Sequence, residues 1–293
     1  MSSNLSGIVY INGKFCDAKE ATISPFDRGF IFGDGIYEVV PVVNGKLVDR
    51  ADFWERFERS LAAIELKLPM SKEKYEEVFY EVIKRNGIVE GGIYTQVTRG
   101  VAMRDFDFPV GLEETCFVFS YPKEIFNNPD ATKGIEIVSL PEIRWKRRDI
   151  KSVSLLAQCI SKHEAHKMGA DECFLVEDGF VTECSSSSAF IIKNGELITK
   201  PLSNEILPGI RRKVILGFAG EAGLKVVERK FSMEEVYDAD EAFISAATLM
   251  LLPVIKADGK PIGGGKVGKF VPILRQMYAN RLKKEAGILQ ILY

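Results

Sequence analysis

Histidine is nearly missing from this chain. Only His163 and His166 occur among 293 residues. They stand in "HEAH", on one helical face with Leu155 and Cys159 but without the H-E-x-x-H spacing of a zinc site. A histidine-based hydrolase is also poorly served, because no G-x-S-x-G elbow is present. Cysteine is sparse: Cys16, Cys116, Cys159, Cys173 and Cys184 are odd in number, scattered and free of any C-x-x-C spacing. Reduced thiols in a cytoplasmic protein are therefore expected. Charge is not in excess, and a net charge of −2 gives no broad reason for nucleic acid or an anionic membrane as partner. No apolar run approaches a membrane span, and "MSSNLSGIVYINGKF" lacks a basic head followed by an apolar signal core. Hydrophobic content of 46% and charged content of 27% fit a globular protein of one large domain or two ordinary ones sharing a cleft.

What the chain does have is turn chemistry. "IVYINGKFCD", "VVPVVNGKLVD" and "AFIIKNGELIT" each set Asn-Gly between apolar-alternating runs, and "CFLVEDGFVTE" does so with Asp-Gly. These pairs accept the positive φ angles of two-residue hairpin turns. Helical patterns fall at 51–65, 72–86, 153–168, 209–222 and 268–286, with Gly223 as a helix-ending glycine. The stretch "YPKEIFNNPDATKG" (121–134), with two prolines and few apolar residues, is the expected linker. The expectation is an α/β (α+β) protein: a small N-terminal α/β domain (1–120), the linker (121–134), and a larger C-terminal domain (135–293) rich in antiparallel strands.

Several residues break their local pattern. In "ADFWERFERSLAAIEL", Phe53, Phe57, Leu61 and Ile64 form an apolar stripe, yet Arg56 and Ser60 occupy slots in it where leucines would be ordinary. Arg56 either snorkels out or is a buried guanidinium needing a ligand phosphate or a carboxylate. In "VTECSSSSAF", the serines either make a polar turn or an anion cradle beside a carboxylate. Glu183, at the end of an apolar strand, favours the second. Tyr37 opens a strand after a Gly-Asp-Gly turn, which alone reads as core filler with an outward hydroxyl. "GGGKVGKF" resembles a phosphate loop, but Phe270 stands where Ser or Thr belongs, so a hairpin end running into the last helix is expected. In "IRWKRRDIKSVSLLAQ", Lys151 follows Arg144, Lys146, Arg147 and Arg148. With so little histidine, a lysine working through a bound cofactor is an economical option. An ordinary lysine titrates near pH ~10.4, so reactivity at neutral pH needs burial or cationic neighbours.

"DRGFIFGDGIYEVV", the arginine of "FWERFERS", "IRWKRRDIKS" and "VTECSSSS" together resemble, in this order, the class IV (fold-type IV) aminotransferases, which depend on pyridoxal phosphate (PLP). The likeness extends through "IYTQVTRG", "EILPGIRR" and "LLPVIKADGK" and comes nearest to the D-alanine (D-amino-acid) transaminase branch. It implies a two-domain fold whose larger, β-rich pseudo-barrel domain binds PLP. It implies that Lys151 binds PLP covalently and moves the proton between Cα and C4′, and that Glu183 pairs with the pyridine nitrogen. Arg56 corresponds to the phosphate arginine, Tyr37 to a tyrosine beside cofactor and substrate, and Leu207 to the leucine against the ring. Ile210, Arg211, Ala247 and Thr248, with Ser186 and Ser187, correspond to cofactor-holding loops. Arg104 corresponds to an arginine that reaches from a partner subunit to the substrate carboxylate, which implies a homodimer. This chain departs from the branch where it reads Arg104-Asp105-Phe106 for Arg-x-His, Arg211 for Thr, Ala246-Ala247 for a hydroxyl pair and Cys184 for Gly. Each lost phosphate hydroxyl removes ~1–3 kcal/mol of charged hydrogen bonding, which Arg211 would offset. Phe106 makes the pocket less polar. The expected activity is transfer of an amino group from a D-amino acid such as D-alanine to a 2-oxo acid such as 2-oxoglutarate. Alternatives are a branched-chain L-amino-acid transaminase, an (R)-amine transaminase, a 4-amino-4-deoxychorismate lyase or a non-catalytic PLP-binding protein.

Overall fold

The computed structural model describes residues 6–288. The chain divides into two units, one comprising Met1–Glu124, Ile150–Ser154 and Leu282–Tyr293, the other Ile125–Asp149 and Leu155–Arg281.

The first unit holds β1 (Ile8–Ile11), β2 (Lys14–Asp17), α1 (Arg28–Phe32), β3 (Gly35–Val43), β4 (Lys46–Leu47), α2 (Arg50–Ala63), α3 (Lys72–Arg85), β5 (Glu90–Thr98) and β6 (Thr115–Pro122). Its sheet runs β2-β1-β6-β5-β3-β4 and is antiparallel throughout. The expected hairpins form: Asn12-Gly13 joins β1 to β2 and Asn44-Gly45 joins β3 to β4, all four residues at positive φ. Ser71 caps α3 by accepting from the Lys74 N–H. The stripe of α2 meets α3 in an aromatic cluster of Phe53, Trp54, Phe57, Tyr75 and Phe79.

The second unit follows with α4 (Asp130–Lys133), β7 (Ile135–Pro141), α5 (Leu156–Lys167), β8 (Glu172–Glu177), β9 (Phe180–Cys184), β10 (Ser188–Lys193), β11 (Glu196–Thr199), α6 (Ile210–Phe218), β12 (Lys225–Glu228), α7 (Met233–Tyr237), β13 (Glu241–Ala246), β14 (Met250–Ala257) and β15 (Lys260–Pro261), and α8 (Phe270–Glu285) closes the order. Its nine-stranded sheet has the order β12-β11-β10-β13-β14-β7-β8-β9, with β15 on β14. The Asp178-Gly179 and Asn194-Gly195 hairpins form as expected. The sheet is mixed rather than antiparallel throughout. β7 runs parallel to both β14 and β8, and β11 parallel to β12. Parallel neighbours require crossover connections, and α5 supplies the one from β7 to β8. Phe174, Val181, Ile191, Phe231, Ile244 and Leu252 lie in its core.

The glycine-rich "GGGKVGKF" is a connection from β15 to α8. The N-terminal N–H groups of α8, from Phe270 and Val271, donate to the Glu241 carboxylate at 2.7 and 2.9 Å. The chain's own anion occupies this helix start. No helix among the described residues is long and apolar enough to cross a membrane.

Candidate functional site

In the first unit, residues 150–154 lie along the start of β3. The Tyr37 N–H donates to the Lys151 carbonyl at 2.9 Å, and the Val153 N–H to the Gly35 carbonyl at 3.1 Å. Ile36 and Ser152 form an isolated antiparallel bridge. The Lys151 N–H donates to the Ser60 hydroxyl at 3.4 Å. The backbone of this lysine is therefore held on both sides, and its half-buried side chain sets Nζ 4.3 Å from the Tyr37 ring centroid. Tyr37 stacks on Tyr94, and Tyr94 on Phe119, with centroids 5.5 and 4.8 Å apart. The result is a wall of aromatic rings across β3, β5 and β6.

Strand alternation sends Glu38 to the face opposite Tyr37. There it meets Arg56 of α2, which donates through Nε and Nη2 to the two carboxylate oxygens, each at 2.7 Å. Both side chains are buried. The guanidinium does not snorkel out. Its partner is a carboxylate of the same unit, and Ser60, the other polar residue of the α2 stripe, takes the Lys151 N–H. Sequence reasoning missed Glu38, although an acid inside the apolar strand "GIYEVVPVV" was a signal for it.

Arg104 and Phe106 lie elsewhere in the first unit, on the connection from β5 to β6. Both are exposed, with the Arg104 guanidinium 4.9 Å from the Phe106 ring centroid.

The second unit builds its charges into a chain. Glu183, at the end of β9, accepts from Arg144 Nη1 at 2.5 Å. Arg144 also donates to Glu142 through Nε and Nη2, at 2.9 and 2.5 Å. Glu142 lies 3.6 Å from Arg148 Nε, Arg148 donates to Glu177 at 2.8 Å, and Glu177 takes Lys146 at the surface. The remaining cation of the run, Arg147, pairs with Asp149. The four cations ahead of Lys151 are thus each matched by a carboxylate. Burial pushes the Glu183 carboxyl up, with Arg144 pulling it back. Burial opposes the Arg144 charge, but Glu183 and Glu142 outweigh it and hold its pKa above the ordinary range. Glu177 is brought down to about 2 by its bonds from Arg148 and Lys146.

Leu207 comes to Glu183 through its backbone, the N–H lying 3.3 Å from each carboxylate oxygen. Ile210 opens α6, whose N-terminus follows Gly209 and has no side-chain cap. A Cβ at position 209 would sit 2.7 Å from the Ser188 hydroxyl, so glycine permits this approach. Ser188 pairs in register with Ser245, and the hydroxyls of Ser187 and Ser245 are buried without a hydrogen-bond partner among the described residues. Arg211, also buried, donates to the Ala247 carbonyl at 3.2 and 2.9 Å. Ala247 and Thr248 form the turn between β13 and β14. Ser186 is drawn away: with Ser185 it bonds the buried Glu172 carboxylate, at 3.2 and 2.5 Å. Glu172 and the orphan hydroxyl of Ser245 are two features of this neighbourhood that sequence reasoning missed. Only the packing of β8 and β13 reveals them.

The chain matches the family described as amino-transferase class IV over residues 35–257. A "D-alanine aminotransferase" of Staphylococcus haemolyticus is 40% identical over 271 residues, covering 92% of this chain and 94% of that protein. Among solved structures, the branched-chain amino acid aminotransferase of Escherichia coli superposes with a TM-score of 0.87 at 20% identity, over 98% of this chain and 97% of that one. The T.th. branched-chain amino acid aminotransferase with pyridoxamine 5'-phosphate gives 0.86 at 22% identity, over 97% and 95%. These two likenesses show the fold, which is the mixed α/β fold the sequence led us to expect. The family match and the near end-to-end relative together show that the chain belongs to the class IV aminotransferases.

Proposed function

We propose that this aminotransferase uses PLP to move an amino group from a D-amino acid, with D-alanine as donor, to a 2-oxo acid such as 2-oxoglutarate. The observation that carries the chemistry is Lys151: a half-buried amine against the Tyr37 ring, its backbone tied to β3 and to Ser60. The 40% identity to a "D-alanine aminotransferase" supports the donor.

The residues present fit the cofactor. The cofactor needs an amine, a buried carboxylate and an anion cup, and Lys151, buried Glu183 and the start of α6 support these readings. The uncapped start of α6 and the orphan hydroxyls of Ser187 and Ser245 are the donors a phosphate needs. In our reading Arg211 adds charge to them, while Ile210, Ala247 and Thr248 add backbone N–H and hydroxyl donors; Arg56 is assigned to the phosphate by its correspondence with the family's arginine. Among the described residues, Glu183 Oε2 has only the long contact from Leu207, which leaves it able to accept from a protonated ring nitrogen. When bound, PLP supplies an electron sink for the substrate carbanion. With the cofactor bound, the Lys151 amine would be the group that takes up and returns the substrate Cα proton. Leu207 would then lie against the cofactor ring, and Tyr37, 4.3 Å from Lys151 Nζ, would limit how far the lysine swings. Arg104 binds the substrate carboxylate, and Phe106 faces its side chain.

We also propose a homodimer in the cytoplasm. Phe30, Met103, Phe106 and Val110 of the first unit are 70 to 98% exposed, an apolar surface suited to a second copy. All five cysteines are unpaired, which suits a reducing compartment. Light scattering of the purified protein tests the dimer. A donor panel of D-alanine, L-leucine and (R)-1-phenylethylamine with 2-oxoglutarate tests the substrate: turnover of D-alanine is expected, and turnover of L-leucine without D-alanine would overturn the assignment.

A further inference from the structure

The connection carrying Arg104 is anchored by two buried arginines that share one carboxylate. Arg28 Nε donates to Asp34 Oδ2 at 2.7 Å, and Arg99 reaches the same carboxylate through Nε at 2.8 Å and Nη2 at 3.1 Å. Arg28 then gives Nη1 to the Asp105 carbonyl at 2.6 Å. Asp105 is the residue between Arg104 and Phe106. The base of the connection is closed by the Arg28 N–H on the Gly100 carbonyl and the Ala102 N–H on the Phe26 carbonyl, at 2.9 and 3.2 Å. An exposed loop tip is thus tied to one of the most buried side chains of the unit.

Phe32, the last residue of α1, lies within reach of two cations. The Arg28 guanidinium carbon is 4.6 Å from its ring centroid and that of Arg104 is 5.6 Å away. The Phe106 ring lies 5.6 Å from the Phe32 ring, tilted by 55°, and carries Arg104 at 4.9 Å. Among the described residues no carboxylate pairs with Arg104. A guanidinium held by aromatic faces keeps its N–H edges for a planar, bidentate carboxylate.

We propose that Phe32 is a positioning residue: braced by Arg28, its ring holds the Arg104 guanidinium with the N–H edge presented to the substrate carboxylate. Phe106 completes this clamp at the position where the related branch has a histidine donor. The inference rests on the reading of Arg104 as the carboxylate-binding arginine. Phe32 touches no reacting atom, so its effect is on carboxylate binding and not on the proton transfer.

The test is a double-mutant cycle in the full-length holoenzyme. Arg104→Gln alone is expected to raise KM for D-alanine about ten- to hundredfold. Phe32→Leu alone raises KM about two- to fivefold with kcat unchanged. The dissociation constant of propionate, a carboxylate without an amine, rises by a similar factor in calorimetry. Phe32→Tyr, which keeps the ring, restores both values and serves as the folding control. In the Arg104→Gln background Phe32→Leu has no further effect. An equal rise in KM in that background, or a fall in kcat with KM unchanged, overturns the role of Phe32 while leaving Arg104 in place. If Arg104→Gln leaves KM unchanged, the reading of Arg104 falls, and the role of Phe32 falls with it.

Discussion

The two units bury charge in opposite ways. In the first, Arg56 and Glu38 make a bidentate pair, both oxygens of the carboxylate engaged and both side chains buried. In the second, three acids and three cations alternate from Lys146 at the surface, through Glu177, Arg148, Glu142 and Arg144, to Glu183 at the buried end. Among the described residues Glu183 shares its one cation with Glu142, and it titrates higher than an ordinary glutamate because burial outweighs that half-share. The bidentate pair fastens a helix to a strand, whatever its cation also offers a ligand. An open-ended chain leaves its last carboxylate able to take a cation from a ligand.

The two arrangements should respond differently to substitution. Lys151→Ala, which removes the amine held against the Tyr37 ring, should lower turnover roughly 10⁴-fold. Coupled amino-transfer assays with D-alanine check this, and thermal melting should stay near wild type because the side chain is only half-buried. Arg56→Met should destabilise the fold by about 3–5 kcal/mol by stranding Glu38, and Arg56→Met with Glu38→Met should recover most of that loss in urea unfolding. Glu183→Gln should do the reverse. Turnover should fall by about 10²–10³-fold, while stability changes by about 1 kcal/mol, since Arg144 keeps Glu142. A large stability loss from Glu183→Gln would erase the distinction between the units.

The smallest effect is on pH dependence. Glu177 is held at about 2 against an ordinary 4.5. A depressed carboxylate contributes stability that is present above pH 4.5 and is lost as pH falls toward 2. Acid unfolding followed by circular dichroism should therefore be shallower across that window in Glu177→Gln than in wild type.

Local chemistry was the legible part of this chain. The hairpins at Asn12-Gly13, Asn44-Gly45, Asp178-Gly179 and Asn194-Gly195 could be read because the turn residues alone decide them. The five long helical patterns have their counterparts in α2, α3, α5, α6 and α8. The short α1, α4 and α7, of four or five residues, are too brief to show a period. Arg56 could be recognised as misplaced in an apolar stripe, but its partner could not be named. Glu38 lies 18 positions away and meets it only because α2 packs on β3. Likewise the cationic run at 144–148 looked like free charge near Lys151. Its partners Glu177 and Glu183 arrive from β8 and β9, through long-range pairings that no local pattern encodes. The parallel placement of β7 between β14 and β8 was hidden for the same reason.

The central claim is that the amine of Lys151 is the point at which this aminotransferase holds its cofactor. Borohydride reduction of the PLP-loaded protein, followed by proteolysis and mass spectrometry, tests it directly. One phosphopyridoxyl adduct is expected, on the peptide containing Lys151, and none in Lys151→Ala. A label on another lysine, or one that persists in Lys151→Ala, would contradict it.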